Sequence, residues 1–326
     1  MRVSKYMIFI VSVLWLAVTS GCGGGGGGSD SGSSGTGTLS MSMTDAKPLL
    51  PETSGKTITN VFVTIDDVLV HSSGGGWVSL ASKMVENPYT IDLLQFTDGA
   101  TTEFVPPVPL ETGKYTQIRL SVKNAWLRFD NKPNDEVEIT VPSENLKTDK
   151  NFDFEVPEAK NNGDGNPADP AAVDITIDFD LSKSLVLEGQ GYKLKPVLHI
   201  VETDNAATIE GYIANSEFVG NSVVITVFDS TGQEYTNVKV EKTTSDINGK
   251  PVDDTFYEIF WLVPNQKYTV KICHDPTIDV DPVTDGIQYK YDESAVVPSA
   301  PDQVHPDGTL NPGEIYSLDF PLPSTT

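Results

Sequence analysis

The chain is short of cysteine, short of positive charge and nearly free of long apolar runs. Only 2 cysteines, Cys22 and Cys273, occur in its 326 residues. With Cys22 otherwise engaged, no intramolecular disulfide is possible, and a hydrophobic core must hold the fold. Lys and Arg total 22 against 46 Asp and Glu, a formal net charge of -24. That balance argues against nucleic acid as a partner, because affinity there rests on cations set against phosphates. It argues equally against electrostatic adhesion to anionic headgroups. The four histidines, His71, His199, His274 and His305, lie far apart. No G-x-S-x-G, H-E-x-x-H, Walker or dinucleotide fingerprint occurs, so no catalytic residue is assigned. Among 46 acids some carboxylate pair is always present, so Asp66 beside Asp67 carries no glycosidase reading.

The single apolar run of note is 6–18, preceded by Arg2 and Lys5 and followed by Thr19-Ser20-Gly21-Cys22. A spanning helix needs roughly 20 apolar residues, whereas a signal-peptide core needs about 7–15 and then small residues. The run fits the second description. The residues before Cys22 resemble the lipobox of bacterial lipoproteins, with Thr19 in place of the usual Leu. The resemblance implies cleavage between Gly21 and Cys22, a diacylglycerol on the Cys22 sulfur and an acylated new N-terminus. Gly23, rather than Asp, implies the outer membrane in a two-membrane bacterium. The competing reading is an ordinary secretory signal that leaves Cys22 a free thiol. Two or more acyl chains anchor stably, so membrane lipid becomes the expected partner through Cys22. Residues 22–37 then form a Gly/Ser tether.

From Thr38 the pattern is short apolar alternation: Leu39, Met41, Met43; Val61, Val63, Ile65; Ile118, Leu120, Val122; Ile175, Ile177, Phe179, Leu181. Period two buries one face and wets the other, which suits antiparallel sheets. No stretch keeps the helical period for three turns, and short helical pieces are expected only at 91–95 and 182–187. The fold class is all-β: two antiparallel β-sandwich domains, 38–203 and 206–326, after a signal peptide 1–21 and the tether. Turn signals at Ser230-Thr231-Gly232 and Pro264-Asn265 separate the strands of the second block, and 315–320 supplies a closing strand.

The apolar phase flips between Ile65 and Val68, which a bulge at Asp66-Asp67 would absorb. Asp66 and Asp67 read either as ligand carboxylates or as two solvated acids on that bulge. Trp77, after three glycines, reads as a sugar-stacking platform or as a cap on the core. Asn162, Asp164 and Asn166 alternate, with Asp169 close by, as oxygen donors of a calcium loop do. Pro167 and Val173 depart from the EF-hand pattern, and a solvated Gly/Asn/Asp/Pro loop explains the same residues. Asp174, Asp178 and Asp180 read as the wet face of a strand. Cys273-His274-Asp275 with Asp279, Asp281 and Asp285 offers metal donors without structural-zinc spacing, and Cys273 itself reads as a buried strand residue.

Two resemblances extend these readings. Residues 37–202 resemble a bacterial lipoprotein family described as domain of unknown function 4382. The likeness rests on Gly37-Thr38-Leu39-Ser40-Met41-Ser42-Met43-Thr44-Asp45-Ala46, Val63-Thr64-Ile65-Asp66-Asp67-Val68, Ile91-Asp92-Leu93-Leu94, Gly113-Lys114-Tyr115-Thr116-Gln117-Ile118-Arg119-Leu120, Asp178-Phe179-Asp180 and Gly191-Tyr192-Lys193-Leu194-Lys195-Pro196-Val197-Leu198. It implies an envelope lipoprotein and carries no catalytic residue across. The second block is similar to the carboxypeptidase-regulatory or transthyretin-like sandwich, through Ile209-Glu210-Gly211-Tyr212-Ile213 and Pro264-Asn265-Gln266-Lys267-Tyr268. That likeness implies structural or binding duty. The expectation is a lipid-anchored, non-catalytic envelope protein of binding or display type, without a cofactor unless calcium binds. Its protein or glycan partner is undetermined. The alternatives are a polysaccharide-directed envelope enzyme and a subunit of a surface assembly.

Overall fold

A computed structural model describes residues 35–45, 50, 56–130, 132–142, 145–147, 153–157, 171–189, 191–274, 291, 293–298 and 308–321. The protein is all-β, and among the described residues its strands form four sheets. Between 36 and 202 run β1 Thr36–Thr44, β2 Ile58–Ser72, β3 Trp77–Ser79, β4 Tyr89–Asp92, β5 Thr102–Glu111, β6 Gly113–Phe129 and β7 Lys132–Thr140. They are followed by β8 Asn145–Lys147, β9 Phe154–Val156, β10 Ala172–Phe179, the short helix α1 Leu181–Ser184, β11 Leu185–Glu188, β12 Gly191–Leu194 and β13 Leu198–Glu202. One sheet has the order β13-β10-β1-β5; the other runs β11-β12-β7-β6-β2-β3, with β4 on β2 and both β8 and β9 on β6. A single hydrophobic cluster, from Leu39 to Ile200, draws on both sheets.

The second lobe comprises β14 Ala207–Ala214, β15 Ser222–Phe228, β16 Glu234–Glu241, β17 Asp254–Leu262, β18 Tyr268–Cys273, β19 Glu293–Val297 and β20 Ile315–Ser317. Its sheets are ordered β17-β14-β20 and β16-β15-β18-β19. They enclose a separate cluster, from Ala207 to Phe320. Both clusters lie within one compact unit, Ser34–Thr326.

Period-two patterning found strands such as β2 and β6, where buried and wetter residues alternate, whereas β15 is buried on both faces. At β2 the phase flip behaves as the sequence required. The register shifts between Ile65 and Asp67, and Val61, Val63, Ile65, Val68 and Val70 are all fully buried. Without the extra residue, one of the two apolar sets would face water. Short helical turns stand at Leu93–Gln95 and Leu181–Ser184, and the closing strand is present as β20. Cys273 is buried.

The expected purely antiparallel pairing needs correction. β1 pairs β10, β12 pairs β7, and β14 pairs β20 in parallel. Parallel neighbours need long crossovers, and β1 reaches β10 only after β2 to β9 have been laid down. Alternation fixes which face is buried and leaves strand direction open.

Candidate functional site

The most unusual chemistry lies on the seam between the lobes. β10 carries Asp178 at its end, directly opposite His199 of β13. The next residues turn the chain into α1, and Asp180 caps that turn, its Oδ1 accepting from the Lys183 amide at 3.2 Å. A short acidic side chain at this position satisfies an amide that the helix leaves without a carbonyl. The cap sets Ser182 and Lys183 against β16. Ser182 Oγ donates to Asn237 Oδ1 at 3.2 Å. Lys183 Nζ donates to the carbonyls of Glu234 at 2.6 Å and Tyr235 at 2.5 Å. It also pairs with Asp180 Oδ2 at 3.3 Å. The His199 ring lies 4.1 Å from that of Tyr235, centroid to centroid.

Asp178 and Asp180 are therefore not a wet stripe: they are 5% and 1% exposed. The second lobe covers the face that a strand pattern alone assigns to solvent. Only Asp174 of that series is exposed, accepting a hydrogen bond from Ser40 Oγ. Asp45, at the end of β1, is buried beside them. Its Oδ1 accepts from the Leu181 amide at 3.1 Å, while Oδ2 has no hydrogen-bond partner among the described residues. Burial first, then the charges of Asp178 and Asp180, push the Asp45 carboxyl well above the usual carboxylate range.

Asp45, Asp98, Asp178 and Glu258 line one cavity with Thr236 and Trp261. Burial and the charges of Glu210 and Asp98 raise the Glu258 carboxyl as well. The cavity measures about 20 Å³, enough for a single water and too little for an organic substrate. Among the described residues, the seam acids do not bring three donors within 4.8 Å of one another. The arrangement ties the two lobes together through an ion pair and hydrogen bonds.

Trp261 reaches the cavity through a bulge. The register of β14 against β17 shifts between Ala207 and Ile209, and Trp261 sits at φ 63°. A large side chain in the left-handed region is held there by its surroundings, at a cost of about 1–3 kcal/mol. The sequence carried a signal for it: Tyr257 and Ile259 are buried in odd phase and Leu262 in even phase.

The seam makes a titration prediction. A carboxyl whose folded pKa is raised binds more protons folded than unfolded, from its ordinary value of 3.8 upward. Its contribution to stability therefore falls as pH rises through that window. Asp45→Asn keeps an acceptor for the Leu181 amide and removes the charge. Its Tm should exceed that of the wild type at neutral pH by about 2–4 °C per kcal/mol of relieved repulsion. The gap should close toward pH 3.8. A gap that stays constant with pH would remove the claim.

The residues singled out from sequence do not converge. Asp67 accepts from Ser79 Oγ at 2.7 and 2.8 Å, tying β2 to β3. The Asp66 carbonyl accepts from Asn87 Nδ2 at 2.8 Å. Trp77 lies half-buried outside the core cluster, so it does not cap the core. Its ring is covered on one face by the Arg119 guanidinium at 3.8 Å, and His71 meets it at 4.9 Å. Gly21, Cys22, Asn162, Asp164, Asn166 and Asp169 lie outside the described residues.

Comparison with known proteins bears mainly on the first lobe. Residues 36–196 match the family model described as "Domain of unknown function (DUF4382)". The match stops short of the second lobe, whose carboxypeptidase-regulatory or transthyretin likeness remains a sequence expectation. No curated protein matches the chain. Among solved structures, the Bacillus anthracis TIE protein aligns at 14% identity and TM-score 0.17, covering 87% of this chain and 34% of that protein. The chain thus spans about a third of that protein's length. The fimbrial anchor protein Mfa2 from Porphyromonas gingivalis aligns at 10% identity and TM-score 0.17, covering 74% of this chain and 79% of its own. A putative adhesin from Bacteroides ovatus aligns at 10% identity and TM-score 0.21, covering 87% of each chain. Superpositions this loose carry no argument about function.

Proposed function

We propose that the chain is a lipid-anchored envelope protein that displays a rigid, two-domain β body and performs no catalysis. The observation that carries this reading is the order Arg2 and Lys5, apolar run 6–18, Thr19-Ser20-Gly21-Cys22 and glycine-rich tether. Acyl chains on Cys22 hold the molecule at the membrane, and the tether lifts the body clear of the headgroups. β1 opens at Thr36 and buries Gly37, so the last two residues of the 22–37 tether belong to the body rather than to the tether. The domains run over 38–203 and 206–326, the second as an accessory sandwich of carboxypeptidase-regulatory type. The seam supports display, because a partner surface built from both lobes is pre-organised when the lobes do not move.

Radiolabelled palmitate supplied to cells expressing wild type or Cys22→Ala tests the anchor. Wild type should carry label and sediment with membranes; Cys22→Ala should carry none and stay unprocessed at Gly21. An unlabelled wild type, or a labelled variant, would remove the reading.

A further inference from the structure

At the far end of the second core, the fold brings together three metal donors that the sequence keeps apart. Glu217 ends the 3-10 turn Asn215–Glu217, immediately before Phe218, a member of the second core. His274 follows β18, and Glu293 opens β19. One donor atom from each of Glu217, His274 and Glu293 lies within 4.8 Å of the other two.

Strand register explains the convergence. Glu293 stands directly across from Ile272, as Ala295 does from Val270 and Val297 from Tyr268. Ile272, Val270 and Tyr268 all belong to the core, so Glu293 occupies an inward position at the end of the sheet. His274, two residues beyond Ile272, continues the same face, because strand side chains alternate. The carbonyl of His274 accepts from the Val219 amide at 3.4 Å, which draws the Glu217 turn alongside. His274 and both glutamates are half-buried.

We propose that Glu217, His274 and Glu293 form a binding site for a divalent transition-metal ion of the zinc class. Zinc takes imidazole nitrogen and carboxylate oxygen at about 2.0–2.2 Å, so ligand atoms of a tetrahedral site stand roughly 3.4 Å apart. Donors already within 4.8 Å of one another close to that spacing by small side-chain rotations. The imidazole sets the class. Calcium prefers six to eight oxygens, whereas one imidazole with two carboxylates suits zinc and its neighbours. Three protein ligands leave one position for water.

The proposed site shares His274 with the sequence reading of Cys273-His274-Asp275. Cys273 falls on the opposite face from His274 and is not among the converging donors. Asp275, Asp279, Asp281 and Asp285 lie outside the described residues. The ion would staple the turn before Phe218 to both ends of the connection between β18 and β19, stabilising the second lobe by mass action.

The full-length, untagged chain in detergent micelles, stripped with chelator and dialysed against zinc with excess calcium and magnesium, tests the site. Wild type should retain about one zinc per chain and gain thermal stability with it. Glu217→Gln and Glu293→Gln replace half-buried carboxylates with amides of equal size. Each should weaken zinc binding by at least tenfold, with an unchanged far-UV spectrum, since even outer-shell changes cost about 10–100-fold. A wild type that retains no zinc, or that retains only calcium, overturns the proposal. Undiminished zinc in the double Gln variant overturns it too, by locating the ion elsewhere.

Discussion

Gly211→Ala should unfasten the C-terminal strand and lower Tm by roughly 10 °C. A Cβ at Gly211 would stand 1.9 Å from the Leu318 carbonyl oxygen and 2.6 Å from its carbon. Both are backbone atoms and cannot rotate away. Around this contact the strand is stitched to β14 by four hydrogen bonds. Leu318 N donates to the Glu210 carbonyl at 2.8 Å, and Tyr212 N to Asp319 Oδ1 at 2.8 Å. Phe320 N donates to the Tyr212 carbonyl at 2.8 Å, and Ala214 N to the Phe320 carbonyl at 3.0 Å. Tyr257 adds its hydroxyl to the Leu318 carbonyl at 2.6 Å. Pushing the strand outward withdraws Phe320, 2% exposed, from the second core. Losing a buried phenylalanine side chain costs about 3–5 kcal/mol, and the backbone bonds add to that. Gly220→Ala is the matched control, with nothing within 4 Å of its Cβ. Differential scanning calorimetry of the two variants decides the matter: equal melting temperatures would mean that the strand yields without loss.

That contact was invisible in the sequence, and the reason applies to the seam as well. A strand's alternation reports whether its two faces differ, so the strands around Val61, Ile118 and Ile175 were legible, while the unbroken apolar run from Val223 was marked by the turn signal that follows it. So was the bulge at Asp66, since a phase flip inside one apolar run admits no cheaper solution. The flip between Ile259 and Leu262 held equal information about Trp261. What local patterning cannot report is a second layer. Asp178 and Asp180 alternate with apolar residues just as solvated acids do. They are buried only because β16, some fifty residues downstream, lies over them. The parallel pairing of β1 with β10 depends on the same long-range assembly. Glu217, His274 and Glu293 follow this rule too: no spacing rule links them, and only the register of β18 against β19 sets two of them on one face.

Lys183→Met should cost about 3 kcal/mol, at the lower end of what breaking a buried ion pair costs. Lys183 is 20% exposed at its side chain and Asp180 is 2% exposed. Its ammonium donates to the Glu234 and Tyr235 carbonyls and pairs by charge with the Asp180 carboxylate. Methionine keeps the apolar stem but takes a donor from two carbonyls and the cation from a buried carboxylate. Asp180 would then face Asp45 and Asp178 with the amide of residue 183 and, 3.7 Å away, His199 as its remaining neighbours. The lobes have separate cores, so weakening the seam should split a single unfolding transition into two. A cycle separates the charge effect from simple loss of contact. Asp180→Asn retains a side-chain cap for the Lys183 amide and removes the stranded charge. In the Lys183→Met background it should restore much of the lost stability, because removing both members of a buried pair costs less than removing one. Lys183→Met melting as one transition within about 1 °C of wild type, well below the 2–4 °C that each kcal/mol is worth, would show that the seam's charges do not hold the lobes together.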